Sequence, residues 1–187
     1  CNREVTMVRE RVGVCDVSTL GKIDIQGPDA AAFLDFVYTN TFSTLPVGRV
    51  RYGLMLREDG HVMDDGTTAR LGETDFLMTT TTAAAGAVMR HLEFVHQCLR
   101  PELDVRFTSV TEQWAQFAIA GPEARTVLDK LDSDIDLSPE AFEFMSYREG
   151  TLAGYPVRIV RISFSGELSY EIATPSGHGR GRWDTLM

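Results

Sequence analysis

Ile25-Gln26-Gly27-Pro28-Asp29-Ala30 and Ile119-Ala120-Gly121-Pro122-Glu123-Ala124 are the same device written twice in one chain. Each sets an apolar residue, then glycine, proline, an acid and alanine. Proline suits the first position of a helix, where its missing N–H would have no partner anyway. The acid that follows favours the positive end of the helix. Upstream of the first copy, Lys22-Ile23-Asp24-Ile25-Gln26 alternates as a half-buried strand does. Downstream, Phe33, Leu34 and Val37 form an apolar stripe at helical spacing. The second copy repeats this, with the strand Gln116-Phe117-Ala118-Ile119-Ala120 and a helix carrying Val127, Leu128 and Leu131. The reading is an α+β fold of two related lobes, each a mixed, mainly antiparallel sheet with flanking helices. The lobes are expected at residues 1–100 and 101–187, with the boundary near Pro101 and the acidic stretch 129–136 as a connector in the second.

Between the copies lies a β meander. Residues 52–56 form a strand, Asp59-Gly60 signals a hairpin, and residues 61–65 return. Residues 67–71 continue, residues 72–75 turn, and residues 76–80 close the meander. Thr82 is then placed to cap a helix from Ala83 to about Cys98, with Val88, Leu92 and Val95 facing inward. In the second lobe Ser138-Pro139-Glu140 starts a short helix. Strands over 157–163 and 168–173 flank a Ser165-Gly166-Glu167 turn.

The chain of 187 residues is 43% hydrophobic, enough to bury a real core. Its net charge of −9, with no run of Lys or Arg, disfavours nucleic acid as a partner. No apolar stretch is long enough for a membrane span and no secretory signal is visible, so no membrane partner is expected. Cys1, Cys15 and Cys98 form no CxxC pair, which excludes a zinc ribbon or a disulfide framework and fits a reducing cytoplasm. Cys15 and Cys98 read as small buried apolar residues. The start at Cys1, and the amphipathic run Arg182-Trp183-Asp184-Thr185-Leu186-Met187 after Pro175-Ser176-Gly177, read as a piece of something longer.

Two carboxylate pairs stand out. Asp64 and Asp65 are neighbours on a strand, so their side chains point to opposite faces and at most one readily enters a pocket. A carboxylate aimed into an apolar cleft can orient an amine and take its proton. The residues alone equally allow a solvated acidic turn. Glu167 and Glu171 are four apart and share a face if both lie on the strand, a parity that fails if the turn runs past Leu168. A glutamate there suits an amino-pyrimidine edge, although an exposed strand end fits as well. His91 and His96 are five apart on one helix and do not share a face, and His61 and His178 stand alone, so metal binding is not expected. Gly177, Gly179 and Gly181 precede no Lys-Ser/Thr, which excludes a phosphate-cradling loop. Trp114 and Trp183 read as core or interface residues.

Taken in order along the chain, five segments resemble the aminomethyltransferase family, the glycine-cleavage T-proteins and their relatives. They are residues 11–23; Gly27-Pro28-Asp29-Ala30 with Phe33-Leu34; Tyr52 with Asp59-Gly60-His61-Val62-Met63-Asp64-Asp65; Gly121-Pro122-Glu123-Ala124; and Phe164-Ser165-Gly166-Glu167-Leu168-Ser169-Tyr170-Glu171-Ile172. Within that family the wording of residues 16–24 and 62–71 looks most like the branch formed by alpha subunits of bacterial heterotetrameric sarcosine oxidases. The resemblance implies sheets and helices ringed around a central folate channel, normally completed by a further C-terminal β domain. It implies tetrahydrofolate as cofactor here, with FAD, FMN and NAD elsewhere in a holoenzyme whose other subunits are the partners. By motif match, Asp65 sits near the folate N10 as the catalytic residue, and Glu171 binds the pterin. Tyr52, Asp64, Phe164 and Glu167 complete the cofactor-binding set. Phe164 stands where the family typically has tyrosine, so a phenolic hydrogen bond is lost there, and an asparagine common near Thr81 is missing. The implied reaction moves the one-carbon unit of oxidised sarcosine to tetrahydrofolate, giving 5,10-methylenetetrahydrofolate and glycine. The alternatives are a stand-alone glycine-cleavage aminomethyltransferase and a non-catalytic folate-binding protein of iron–sulfur cluster assembly.

Overall fold

The computed structural model describes residues 2–187. The chain runs strand, strand, helix, three strands, helix, and then does so again. After a leading helix α1 (Asn2–Glu10), the first round is β1 (Gly13–Asp16), β2 (Gly21–Gln26), α2 (Ala30–Val37), β3 (Val50–Leu56), β4 (Val62–Arg70), β5 (Asp75–Thr80) and α3 (Ala85–Phe94). The second is β6 (Arg106–Ser109), β7 (Trp114–Ala120), α4 (Ala124–Leu128), β8 (Ser146–Leu152), β9 (Tyr155–Arg161), β10 (Ser169–Pro175) and α5 (Gly179–Leu186).

Two five-stranded sheets result, ordered β3-β4-β5-β2-β6 and β8-β9-β10-β7-β1. Every pairing in them is antiparallel. The orders are identical copy for copy, with one exchange: the leading strand of each round joins the sheet of the other. Gln26 of β2 lies opposite Asp75 and Arg106, and its counterpart Ala120 of β7 lies opposite Ser169 and Gly13.

The Gly-Pro-acid device makes that exchange possible. Gly27 and Gly121 adopt φ of 138° and 136°, a region that L side chains rarely enter. A Cβ on Gly27 would lie 2.3 Å from the carbonyl oxygen of Asp104, just before β6, and one on Gly121 would lie 2.4 Å from that of Arg11, just before β1. The acids then dock the incoming chain. The Asp29 carboxylate accepts the Asp104 N–H at 2.8 Å. Glu123 donates its N–H to the Arg11 carbonyl at 3.0 Å and pairs with the Arg11 guanidinium at 2.8 Å. Neither acid makes the helix-cap bond its position suggests.

Two compact units follow, one of Thr19–Thr111 and one of residues 2–18 with Glu112–Met187. The expected lobes of 1–100 and 101–187 are therefore corrected. The boundary lies beyond Pro101 because β6 pairs with β2, and residues 2–18 go with the second copy because β1 pairs with β7. The first unit packs Ile23, Ile25, Phe33, Leu34, Phe76, Met78, Val88 and Leu92 into one core. The second packs Phe117, Ile119, Leu128, Phe142, Ile159, Tyr170 and Ile172 into another.

Smaller expectations also move. Thr82 does not cap α3: the helix begins at Ala85, and the Thr82 hydroxyl lies 3.1 Å from that of Thr19. The helix runs on as a π-helical turn, Val95–Leu99. Residues 61–65 and 67–71 are a single strand, β4. Ser138-Pro139-Glu140 makes only a turn, with its one helical bond from Phe142 N–H to the Ser138 carbonyl not continued. Cys15 and Cys98 are exposed rather than buried, on a sheet-edge strand and on the outer side of the π turn. Trp183 packs against Phe117, and Trp114 lies beneath the Arg158 guanidinium, 4.3 Å from its centre.

Candidate functional site

The β3–β4 hairpin gathers Tyr52, Asp64 and Asp65. Leu54 lies opposite Asp65 and Tyr52 opposite Thr67, so Tyr52 and Asp65 are diagonal neighbours on one face. The Tyr52 hydroxyl donates to Asp65 Oδ2 at 2.7 Å. That bond is the chief reason the phenol's pKa lies above its ordinary value, so it stays a donor. Tyr52 is 47% exposed and Asp65 is half-buried, so the pair is open to a ligand.

Asp64 points the other way, as strand alternation requires, and is 7% exposed. It receives the backbone N–H of Thr81 at 3.2 Å and the Thr81 hydroxyl at 2.8 Å. The carboxylate thus pins the end of β5 and the entry to α3. Asp64, expected as a ligand contact, thus lies buried on the Thr81 side of the strand, away from the Tyr52–Asp65 pair. Gly66 sits where a Cβ would meet the Thr79 carbonyl oxygen at 2.1 Å, and the Thr67 and Thr79 hydroxyls bond at 3.0 Å beside it. Tyr38 is buried against Gly53, and burial drives its pKa well up, so its phenol is neutral. Tyr38 belongs to no spaced motif and is not reached from the sequence, and Thr81 enters it only as the neighbourhood of a missing asparagine.

Burial, opposed by the Thr81 bonds, holds the Asp64 carboxyl above the usual carboxylate range. In the unfolded chain it returns to about 4. A raised folded value contributes stability below the unfolded pKa and loses it as pH rises through the folded one. Stability is therefore expected to decline over a window opening near pH ~4 and extending upward. Asp64→Asn, which cannot titrate, should flatten that component in urea melts taken at stepped pH. A variant profile as steep as the parent's would remove Asp64 as its source.

The second group lies on the other unit. Glu171 in β10 stands opposite Ala118 and Val160, half-buried, and accepts the Gln116 side-chain amide at 2.5 Å. Gln116 is itself buried. Glu167 is not on that strand. The turn runs past Leu168, the face-sharing parity fails, and Glu167 pairs instead with Arg9 at 2.8 Å. Phe164 projects fully into solvent, with an exposure of 104%. The structure thus brings Tyr52 and Asp65 together and separates Glu167 from Glu171. Among the described residues no group of three or more His, Cys, Asp and Glu is arranged to hold a metal, and no helix is long and apolar enough to cross a membrane.

This paired-copy fold, with its acidic hairpin, matches a known family. The GCVT N-terminal domain pattern covers residues 1–187. The chain belongs to the GCVT family. As a GCVT domain it is 58% identical to the sarcosine oxidase alpha subunit of Rhizobium meliloti (strain 1021), over 99% of this chain and 19% of that protein. It is 33% identical to the aminomethyltransferase of Exiguobacterium sibiricum, over 98% of this chain and 49% of that one. The crystal structure of the glycine cleavage system aminomethyltransferase T from Bartonella henselae superposes with a TM-score of 0.84 at 27% identity, over 98% of this chain and 47% of that chain. Heterotetrameric sarcosine oxidase from Corynebacterium sp. U-96 shares the fold with a TM-score of 0.71 at 18% identity, over 99% of this chain and 88% of that chain. The chain thus spans about a fifth of the sarcosine oxidase alpha subunits and about half of the aminomethyltransferases it matches.

Proposed function

We propose that this GCVT domain binds tetrahydrofolate within a sarcosine oxidase alpha subunit. There it passes the one-carbon unit of oxidised sarcosine to tetrahydrofolate, yielding 5,10-methylenetetrahydrofolate and glycine. The observation that carries the reading is the Tyr52–Asp65 pair. It is a half-buried carboxylate fixed by a phenol donor and open on the face where its partner Asp64 is not. The identity to sarcosine oxidase alpha subunits, well above that to aminomethyltransferases, favours the oxidase setting over stand-alone glycine cleavage. In that setting FAD, FMN and NAD belong to other parts of the holoenzyme, its other subunits are the partners, and the compartment is the cytoplasm.

The donor chemistry fits a reduced pterin. A strand carboxylate such as Glu171, beside the Gln116 amide that donates to it, suits the paired N–H groups of an amino-pyrimidine edge. Tetrahydrofolate, when bound, supplies the amine that accepts the one-carbon unit. Asp65 orients that amine and takes its proton, with Tyr52 holding the carboxylate in one rotamer. Catalysis comes mainly from holding the acceptor where the electrophile arrives.

Calorimetric titration of tetrahydrofolate into the intact protein tests the reading. Saturable binding is expected, weakened about 10- to 100-fold by Glu171→Ala, the worth of a charge-assisted bond. Equal affinity in parent and variant would remove Glu171 from the site, and no binding by the parent would remove folate from the reading.

A further inference from the structure

The two copies close one strand connection differently. In the first, β4 passes into β5 through residues 71–74 alone. Arg70 holds that turn from within, its Nε donating to the Gly72 carbonyl at 3.3 Å and its Nη2 to that of Glu73 at 2.7 Å. In the second, β9 passes into β10 through the longer loop 162–168. The strand register does not call for the extra length: Thr68 faces Met78 in the first copy just as Ile159 faces Ile172 in the second. The extension contains Phe164, whose ring is wholly exposed and contributes nothing to the core.

The loop is nevertheless tightly held. The Ser163 hydroxyl donates to the Glu167 carbonyl at 2.5 Å and accepts the Gly166 N–H at 3.0 Å. Gly166 takes φ of 85° to turn the chain. The Glu167 N–H also donates to Ser165 Oγ at 3.3 Å, the Leu168 carbonyl accepts the Gly121 N–H at 2.9 Å, and a further hold comes from α1. Arg9 Nη1 donates to the Ser165 carbonyl and to Glu167 Oε1, each at 2.8 Å. Arg9 belongs to α1, a helix with no buried residue, whose C-terminal end is moored by the Arg11–Glu123 pair. A loop longer than the fold needs, fixed by a cation from a peripheral helix and presenting an apolar ring, has the form of a ligand-contacting loop.

We propose that Arg9 is a positioning residue for the pterin-binding side of this domain: through Ser165 and Glu167 it fixes loop 162–168, and so sets Phe164 as an apolar wall for a flat aromatic ligand ahead of Glu171. The inference rests on the folate reading above. It reassigns Glu167 from ligand contact to the anionic half of the latch. An ion pair this exposed contributes modestly and is screened by salt, so its removal should be felt in affinity rather than in folding.

Hydrogen exchange on the intact protein reads the latch without any ligand. In Arg9→Met the Gly166 and Glu167 amides should exchange faster than in the parent, with the β10 amides unchanged, and Arg9→Lys should restore part of the protection. Titration with tetrahydrofolate reads the consequence. Kd should weaken about three- to tenfold in Arg9→Met, turnover at saturating tetrahydrofolate should hold, and the gap to the parent should narrow in about 1 M salt. Parent-like exchange in Arg9→Met overturns the latch. Faster exchange with parent affinity overturns its part in binding. A parent protein that binds no tetrahydrofolate overturns the folate reading and the binding role together, while the exchange result still decides whether the latch exists.

Discussion

In an Asp65→Ala variant of the intact protein, amine oxidation is expected to proceed at the parent rate while the yield of 5,10-methylenetetrahydrofolate falls about 10²- to 10⁴-fold, the usual worth of a positioned acid–base group. Formaldehyde should appear in its place even with tetrahydrofolate present. Of the adjacent pair, the variant removes the carboxylate that faces Tyr52, because Asp64 is held on the opposite face by Thr81. Asp65→Asn separates two contributions. An amide oxygen still accepts from the Tyr52 hydroxyl, so orientation survives, whereas the capacity to take a proton does not. If orientation dominates, Asn retains much of the yield that Ala loses. If proton removal dominates, the two variants fail alike. Product analysis by chromatography, with oxygen uptake measured in parallel, distinguishes these. A methylenetetrahydrofolate yield unchanged in Asp65→Ala would defeat the role given to the residue.

The sequence made the two copies visible because the Gly-Pro-acid device has a local physical cause, a sharp turn into a helix, and local causes leave local marks. Alternation likewise foretold that Asp64 and Asp65 would part company, and the core stripe Val88, Leu92 and Val95 lies inward as its spacing predicts. The exchange of leading strands was not legible. β1 and β6 are four residues each, at sheet edges, with little alternation to read. Their pairing partners lie in the other copy and are set by backbone approach at Gly27 and Gly121 rather than by any pattern of their own. The domain boundary went astray for the same reason. β8, Ser-Tyr-Arg-Glu-Gly-Thr-Leu, was missed because polar residues fill its solvent face. Arg9 and Thr81 act across the fold on partners far away in sequence, so no spacing could announce them. Asp65 and Glu171 were reached through resemblance, since an acid at a strand end is as often merely solvated.

Gly121→Ala is the substitution from which the largest loss of stability is expected. Its Cβ would land 2.4 Å from the Arg11 carbonyl oxygen and 2.8 Å from Val12 Cα, both backbone atoms that cannot swing aside as a side chain tip would. The residue must also hold φ of 136°, costing a non-glycine about 1–3 kcal/mol before any clash. Relief requires β1 to move off β7, with loss of a four-pair edge and of the Glu123–Arg11 contacts. Together these should reach about 4–5 kcal/mol, a large part of the 5–15 kcal/mol that domains typically have. Gly27→Ala poses the same problem against Asp104 and Val105, and should release β6 from β2. Gly60→Ala is the control, since Gly60 also has positive φ, at 82°, but nothing within 4 Å of the added Cβ. It should lose only the backbone part, about 1 kcal/mol. Urea melts rank the three, and hydrogen exchange locates the damage, at residues 13–16 for Gly121→Ala and 106–109 for Gly27→Ala. A Gly121→Ala protein no less stable than Gly60→Ala would mean that the leading strands are not clamped at the Gly-Pro turns, and the exchange between copies would need another cause.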